Sequence, residues 1–363
     1  MKYASEYRDP QLGKALLVAI EKEVADYPGT MTLMEVCGTH TMSIYQHGIR
    51  SLLPKQIRLI SGPGCPVCVT PIGFVDQAVT YARLDDVIIA TFGDMIRVPG
   101  SSSSLQLEQA AGSQIKIVYS PLDAVALAEK HPEKKVIFLG VGFETTTPTI
   151  AGSIVAAKQK ELNNYFVLCA HKTMPTPMAA LTSDPELQVD GYICPAHVSA
   201  VIGANAYRPL AEQYKVPCVV TGFEPLDMLR GVQMLAAQVV SGRAEVENEY
   251  QRIVKPEGNK KAQALIEAVF EPCDAAWRGI GVIPGSGLQI REEFAAFDAA
   301  RQIVVEVEEP KEHKGCLCGE ILKGKVTPKD CPLFRTACTP ENPVGACMVS
   351  SEGTCAAEYK YGC

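Results

Sequence analysis

Residues 57–68 read IRLISGPGCPVC, an apolar, β-branched run followed at once by a turn that holds two cysteines. Cys65 and Cys68 have the Cys-x-x-Cys spacing at which two sulfurs can close a small disulfide or share a metal ion. Pro66 stiffens the loop between them, and the preceding glycines permit a sharp turn. The stretch predicts a strand that ends in a reactive thiol pair; the alternative is one half of a structural zinc site.

The same pattern, an apolar run followed by a polar or glycine-rich turn, recurs along the chain. Helical patterns such as residues 121–130 and 149–162 lie between these runs, and this βαβα order predicts a largely parallel sheet. Ligands of parallel sheets bind beyond the carboxyl ends of the strands, so we expect the turns to form one site. The predicted strands are residues 33–36, 57–60, 86–90, 135–139, 166–170, 191–193 and 218–220.

The length of the chain bounds its domain organisation. With 363 residues, the chain is too long for one ordinary core. Gly-Phe-Glu occurs at residues 142–144 and again at 222–224, which suggests two related halves. We predict an α/β protein with two parallel-sheet domains facing a cleft and a cysteine-rich C-terminal domain. The predicted boundaries are residues 1–125, 126–255 and 256–363, with the cysteine-rich tail at 311–363.

Composition and missing motifs argue against several classes of function. A formal charge of -7 without an evident basic face disfavours nucleic-acid binding. The first ten residues lack the apolar core of a signal peptide, and no later apolar run is long enough to cross a bilayer. We therefore expect a cytoplasmic protein without membrane contact. Gly140 and Gly142 follow a predicted strand, but Thr145 replaces the third glycine of a dinucleotide fingerprint, which disfavours nucleotide binding.

A second thiol follows the first predicted strand. Cys37 and His40 lie three residues apart in the turn that begins at residue 37. A thiolate and an imidazole at this spacing can bind a transition metal, and Gly38 permits close approach of the backbone. Coincidence is an equally weighted alternative for so short a motif.

The tail has a composition unlike the rest of the chain. Its sequence is rich in glycine, proline and threonine and has too few large apolar residues to fold around a core of its own. We therefore expect thiolate–metal bonds to stabilise its fold. Paired Cys-x-x-Cys knuckles of structural zinc sites are absent, and irregular spacing with a Cys-Pro is closer to the ligation of an iron–sulfur cubane. The tail cysteines are Cys316, Cys318, Cys331, Cys338, Cys347, Cys355 and Cys363.

A four-iron cluster uses four thiolates, which leaves two of the six cysteines between 316 and 355 unligated. Such a pair beside a cluster could pass electrons into a disulfide, or the surplus could be inert. Cys169, Cys218 and Cys273 stand alone in the sequence and are interpreted as ordinary small buried residues.

Several long motifs resemble the HypD family of hydrogenase maturation factors, in the same order and over essentially the whole chain. They are MEVCGTHT at residues 34–41, GPGCPVC at 62–68, FGDMIRVPG at 92–100, GFETTTP at 142–148, PAHV at 195–198, and the tail.

The resemblance implies a cytoplasmic scaffold on which the Fe(CN)2CO group of [NiFe]-hydrogenases is assembled, together with a HypC-type small chaperone and a HypE-type cyanide donor. It also implies a C-terminal domain with a [4Fe–4S] cluster beside a disulfide, similar to that of ferredoxin–thioredoxin reductase. Within this resemblance, the chain is more a redox-active scaffold than a turnover enzyme.

The resemblance further implies roles for individual residues. Cys37 would bind the nascent iron, and Cys65 and Cys68 would be a redox-active pair. Three further side chains would lie near them, His40, His197 and Glu144. The implied cluster ligands are Cys316, Cys331, Cys338 and Cys355, with Cys318 and Cys347 as the redox pair near the cluster.

Two alternatives belong to other functional classes. One is a cluster-dependent thiol–disulfide oxidoreductase resembling ferredoxin–thioredoxin reductase, and the other is a zinc-stapled binding protein without a redox role. Cys37 and His40 discriminate among them, because a reductase needs only a cluster and a dithiol, whereas an iron scaffold needs a further soft ligand that faces the dithiol.

Overall fold

The computed structural model describes residues 5–362; residues 1–4 and the last tail cysteine, Cys363, lie outside it. Most of its strands are short apolar runs bounded by turns, as the sequence predicts. The strands are β1 (Met31–Glu35), β2 (Ile57–Ser61), β3 (Val87–Thr91), β4 (Ile115–Ile117), β5 (Lys135–Gly140), β6 (Tyr165–Cys169), β7 (Gly191–Pro195), β8 (Cys218–Thr221), β9 (Val246–Asn248), β10 (Phe270–Trp277) and β11 (Gly281–Ile290).

Helices occupy most of the segments between the strands of the two larger sheets. They are α1 (Pro10–Val24), α2 (Gly38–Gln46), α3 (Ile49–Leu52), α4 (Pro66–Val69), α5 (Ile72–Ala82), α6 (Leu105–Ala110), α7 (Pro121–Lys130), α8 (Thr147–Gln159), α9 (Pro175–Thr182), α10 (Ala196–Ile202), α11 (Arg208–Tyr214), α12 (Pro225–Val240), α13 (Lys260–Val269), α14 (Ala299–Gln302), α15 (Cys318–Leu322) and α16 (Thr354–Tyr361). Within residues 5–362, no helix combines the length and apolar character needed to span a membrane.

Two parallel sheets form the body of the protein, which confirms the predicted α/β class. The first sheet has the strand order β2-β1-β7-β8-β9, and the second has the order β4-β3-β5-β6. Strands β1, β3 and β7 are buried along their full length, because helices or the C-terminal segment cover both faces of each sheet. Successive residues therefore enter different cores: Ile89 packs on one side of the second sheet and Ile88 on the other.

The two sheets are not consecutive segments of the chain. The chain builds β1 and β2, then the whole second sheet, and returns to the first sheet with β7, which pairs with β1. The predicted division at residues 125/126 falls between β4 and β5, two strands of the same sheet. A local pattern of strands and helices carries no information on this return, because the pairing of β1 with β7 joins residues more than one hundred positions apart.

The C-terminal segment begins with an antiparallel hairpin of β10 and β11, whose turn is formed by residues 278–280. The cysteine-rich tail that follows contains two short helices, α15 and α16. Its cysteines share a buried cluster with Met34 and Val36 of the first sheet and with Trp277. The tail therefore uses the face of the first sheet as its apolar support, in keeping with a sequence too poor in large apolar residues for a separate core.

We expect Phe138→Ala to lower the free energy of unfolding by about 3–5 kcal/mol, because it would leave a cavity at the centre of the second sheet. Phe138 is fully buried and meets the ring of Phe92 edge-on, with 5.4 Å between ring centroids. Tyr119→Ala is the control, since this aromatic side chain is 93% exposed. Urea unfolding followed by circular dichroism measures both. Equal losses for the two variants would contradict the assignment of Phe138 to the core.

Candidate functional site

The carboxyl ends of β1 and β2 bring the two thiol-bearing turns together. The strands pair in parallel up to Glu35 opposite Ser61, so both chains leave the sheet side by side. The Gly38 N–H donates to the carbonyl of Gly64 at 3.3 Å. A Cβ atom on Gly64 would stand 2.0 Å from the Cys37 nitrogen, which only glycine avoids. The predicted meeting of these turns is thus present and depends on a glycine.

Cys65 and Cys68 form a disulfide across the first turn of α4. Their Cα atoms are 5.2 Å apart, and Pro66 occupies the first helical position, where no backbone donor is needed. Both sulfurs belong to a buried cluster that includes Met34 and Phe143. The covalent pairing agrees with one of the two readings of the Cys-x-x-Cys spacing, and the redox activity of the pair stays a prediction.

Cys37 lies in the same place, with its thiol beside an imidazole. Its Sγ atom is 3.6 Å from Nε2 of His197, the second residue of α10, which follows the neighbouring strand β7 directly. Burial raises the pKa of the Cys37 thiol far above its ordinary value, and the negative charge of Glu352 raises it further. Burial also lowers the pKa of His197 to about 4, so this imidazole is neutral near pH 7. Cys37 is therefore a protonated thiol in contact with a neutral base.

His40 has a different position from the one its spacing to Cys37 suggests. Its Nε2 atom lies 3.0 Å from the carbonyl oxygens of both Thr221 and Gly222, so Nε2 carries a proton and donates to the turn after β8. Burial lowers the pKa of His40 to about 3, which keeps the ring neutral. Phe223 links the two histidines, since its ring lies 4.8 Å from that of His40 and 4.9 Å from that of His197. His40 thus positions the aromatic ring on which His197 stacks.

Glu352 is a functional candidate that sequence reasoning missed. The tail brings this carboxylate to the beginning of α2, where Thr39 Oγ1 donates to Glu352 Oε1 at 2.6 Å. A Cβ atom on Gly38 would stand 2.5 Å from the Glu352 Cβ, so the approach requires a glycine. The glycine after Cys37 is the one available signal, because 313 residues separate Thr39 from Glu352.

Glu35 is a second missed carboxylate, and it holds the backbone of Cys37. The Cys37 N–H donates to Glu35 Oε2 at 3.0 Å, and the Thr41 hydroxyl donates to Oε1. Burial raises the pKa of Glu35 to about 7, against the opposing effect of these hydrogen bonds, that of Ser61, and the charge of Arg50. The Glu35 carboxyl group therefore fixes the turn that holds Cys37. The sequence did not indicate this role, because Glu35 lies within a predicted strand.

Glu144 lies in the turn between β5 of the second sheet and α8. One of its oxygens accepts a hydrogen bond from the Met174 N–H at 2.9 Å, which ties together the turns after β5 and β6. Burial raises its pKa to about 7. Its other oxygen has no hydrogen-bond partner among the described residues. The predicted place of Glu144 beside Cys37 and the Cys65–Cys68 pair stays a prediction.

Six tail cysteines line one small cavity of about 10 Å³. The Sγ atoms of Cys318 and Cys347 are 2.7 Å apart, and both residues are free thiols. Within residues 5–362, no group of three or more His, Cys, Asp or Glu side chains could hold a metal ion. The cysteines that line the cavity are Cys316, Cys318, Cys331, Cys338, Cys347 and Cys355.

The lone cysteines of the sequence divide into two groups. Cys218 is fully buried in β8, as predicted. Cys169 and Cys273 are partly exposed, so the expectation of ordinary buried residues was wrong for them. Neither lines the cavity of the tail cysteines.

The chain resembles known proteins over nearly its whole length. The family model described as "HypD: Hydrogenase formation hypA family" matches residues 11–362. The "Hydrogenase expression/formation protein HupD" of Azotobacter chroococcum mcd 1 is 49% identical, over 100% of this chain and 97% of the relative. The proteins named "Hydrogenase maturation factor HypD" from Azotobacter vinelandii and Cupriavidus necator are 48% and 46% identical, with the same coverage.

We expect Glu352→Gln to lower the pKa of the Cys37 thiol, because it removes a neighbouring negative charge but keeps an acceptor for Thr39. At a fixed pH near 8, Cys37 should then react several-fold faster with a small methanethiosulfonate, since the thiolate is the reactive form. Peptide mass spectrometry of the labelled protein measures the rate against pH. Glu341→Gln, at an exposed position elsewhere in the tail, is the control. A profile unchanged by Glu352→Gln would show that its charge does not reach the thiol.

Proposed function

The chain belongs to the HypD family of hydrogenase maturation factors, and we propose that it is the scaffold on which the Fe(CN)2CO group of [NiFe]-hydrogenases is assembled. One observation carries the proposal: the thiol of Cys37 lies beside His197, in a turn that packs directly on the turn of the Cys65–Cys68 disulfide. A soft ligand, a neutral imidazole and a two-electron disulfide thus meet at one edge of the first sheet. An iron substrate held there needs a soft donor, which thiolate supplies.

Cys37 binds the iron substrate as a thiolate, so binding must release its proton. The raised pKa of the thiol makes this release depend on the metal, because burial disfavours the free thiolate. His197 is neutral and adds no positive charge next to an incoming cation. The arrangement therefore favours the charged sulfur only when a metal compensates it.

The Cys65–Cys68 pair accepts two electrons as a disulfide, or supplies two electrons as a dithiol, next to the iron substrate. Reduction takes two electrons and two protons and yields two thiols; oxidation reverses this. The contact between Gly38 and Gly64 keeps the two turns together in either state, because it involves only backbone atoms. Electron transfer at this pair is the redox half of the proposed function.

The tail cysteines have the donor chemistry needed to bind an iron–sulfur cluster. All six line one cavity whose other walls are apolar, and no carboxylate is among the lining residues, which is a donor set for soft metals. We assign Cys316, Cys331, Cys338 and Cys355 as ligands of a [4Fe–4S] cluster. When bound, such a cluster supplies one-electron transfer. Its four thiolates bind four separate irons, so they need not converge on a single ion.

The remaining two thiols of the cavity then form the redox pair beside the cluster. The contact between the sulfurs of Cys318 and Cys347 supports this assignment. The same contact favours the second candidate function, a cluster-dependent thiol–disulfide oxidoreductase resembling ferredoxin–thioredoxin reductase. Such a reductase has no need of the Cys37 and His197 pair, which is why we prefer the scaffold.

A HypC-type small chaperone and a HypE-type cyanide donor are the proposed partners, acting in the cytoplasm. Cys37 itself is only 2% exposed. Partly exposed side chains surround it, and a partner that delivers or removes a ligand would touch this rim. The rim consists of Thr39, His197, Phe223 and Glu352.

We expect Cys37→Ala to abolish retention of iron that carries CO and CN ligands and to leave the tail cluster intact. The measurement is infrared spectroscopy of the variant co-purified with its small partner, with visible absorption for the cluster. Cys218→Ala, a change to a buried thiol of the sheet, is the matched control and should keep the CO and CN bands. Undiminished bands in Cys37→Ala would remove Cys37 as the iron ligand.

Protein purified without oxygen should contain about four irons and four acid-labile sulfides per chain in addition to any iron at Cys37. Cys331→Ala should lose most of this iron and sulfide, because it removes a proposed ligand. Cys347→Ala should retain both, because it removes only a member of the redox pair. Zinc without sulfide would contradict the cluster and favour a zinc-stapled tail, and equal losses in the two variants would overturn the division of the cysteines.

A further inference from the structure

A second cavity, of about 340 Å³, adjoins the cavity of the tail cysteines. Three residues, Cys316, Cys318 and Gly345, line both cavities. The volume lies in the range of sites for small organic ligands. We call it the outer cavity. Most of its remaining lining residues come from the hairpin turn, the loop after β3 and the segment that leads into the tail, and they include Arg278, Lys311 and His313.

Arg278 in the hairpin turn lines the outer cavity and carries an unsatisfied donor. The residue is 5% exposed, and its Nε atom donates to the Thr70 carbonyl at 2.8 Å. Its Nη2 atom is buried and has no hydrogen-bond partner among the described residues. Leaving a buried charged donor unpaired costs roughly 1–3 kcal/mol or more, and a carboxylate is the acceptor that matches a guanidinium best. The orphaned donor therefore points to an anionic ligand.

Another wall of the outer cavity is formed by residues 311–313, in a segment without helix or strand that two hydrogen bonds hold to the loop after β3. The Lys311 N–H donates to Ser101 Oγ at 2.8 Å, and the Ser102 hydroxyl donates to Glu308. This places the exposed Lys311 side chain at the mouth of the outer cavity. Lysine and arginine together outweigh Glu312, the one acidic side chain of the lining. The net positive charge of the lining thus favours an anionic ligand, as the unpaired donor of Arg278 does.

The inner wall of the outer cavity includes Cys318 of the proposed redox pair but not Cys347. Cys318 lines both cavities, whereas Cys347 is fully buried and lines only the cavity of the tail cysteines. A ligand in the outer cavity can therefore reach Cys318 and not Cys347. For a thiol ligand, this fixes which sulfur of the pair is attacked.

We propose that the outer cavity binds a small organic anion with two thiols, a dithiol carboxylate, which reduces a disulfide between Cys318 and Cys347. The proposal rests on the redox pair of the proposed function. One thiolate of the ligand attacks the Cys318 sulfur, and the Cys347 sulfur leaves and takes a proton. The second thiol of the ligand then displaces Cys318, so the ligand becomes a cyclic disulfide and the protein gains two thiols. Two electrons and two protons pass from ligand to protein, and no other reactant is needed.

The test compares two dithiols on the oxidised full-length protein: dihydrolipoate, which carries a carboxylate, and dithiothreitol, which is neutral. Differential alkylation and mass spectrometry give the rate at which the Cys318–Cys347 disulfide opens. Each rate is normalised to the reaction of the same dithiol with a small unhindered disulfide. We expect dihydrolipoate to be favoured on the order of tenfold, which corresponds to a charge-assisted contact.

Lys311→Glu should remove most of this preference and leave the rate with dithiothreitol unchanged; its position on the surface makes it safe for folding. Lys314→Glu makes the same change in net charge outside the lining and should keep the preference. Arg278→Gln, if it folds, should act as Lys311→Glu does. Equal normalised rates for the two dithiols, or a preference that survives Lys311→Glu, would overturn the outer cavity as the binding site. Absence of any Cys318–Cys347 disulfide in the oxidised protein would instead contradict the redox pair, and this proposal with it.

Discussion

The close contact between two backbone turns, at the carboxyl ends of β1 and β2, is the constraint on which the site depends. Gly64 lies so near to the Cys37 nitrogen that no side chain fits between them. Parallel pairing of the two strands sets the direction of both turns, and the bond from Gly38 to Gly64 fixes their separation. The Cys37 thiol and the Cys65–Cys68 disulfide are neighbours for this reason. A side chain at residue 64 would collide with the backbone of Cys37 and separate its thiol from the Cys65–Cys68 disulfide.

The tail depends on the same face of the first sheet and contributes to the site in return. Its cysteines pack with Met34 and Val36, next to Cys37 in the chain. Glu352 lies between Cys347 and Cys355, two residues that line the cavity of the tail cysteines. The backbone that places Cys347 and Cys355 at this cavity therefore also places the Glu352 carboxylate beside Thr39. The structure thus couples the tail to the environment of Cys37 through a few residues of backbone.

Local pattern was sufficient to predict most strands and the turns that follow them, since each is an apolar run with a clear boundary. It did not predict β4, β9, β10 or β11; β9, for example, is a strand of three partly exposed residues in a charged segment. It could not predict that β7 lies beside β1, which brings His197 to Cys37, because that pairing is set by packing over a long sequence separation. The roles of His40 and Glu352 were hidden for the same reason: their partners, the carbonyls after β8 and the Thr39 hydroxyl, are distant in the chain.

Burial shifts the pKa values of acidic and basic groups around Cys37 in opposite directions, and both shifts favour the neutral form of the group. It raises the pKa values of Cys37 and Glu35 and lowers those of His40 and His197, so each of these groups is pushed toward its neutral form. Glu352, which is partly exposed, is the nearby carboxylate that keeps access to solvent. A metal cation bound to this sulfur, as proposed above, would meet little positive charge and one carboxylate across the turn. Because a bare thiolate is disfavoured in these surroundings, the proposed metal would be the main stabiliser of the ionised sulfur, and deprotonation of Cys37 would depend on the arrival of that metal.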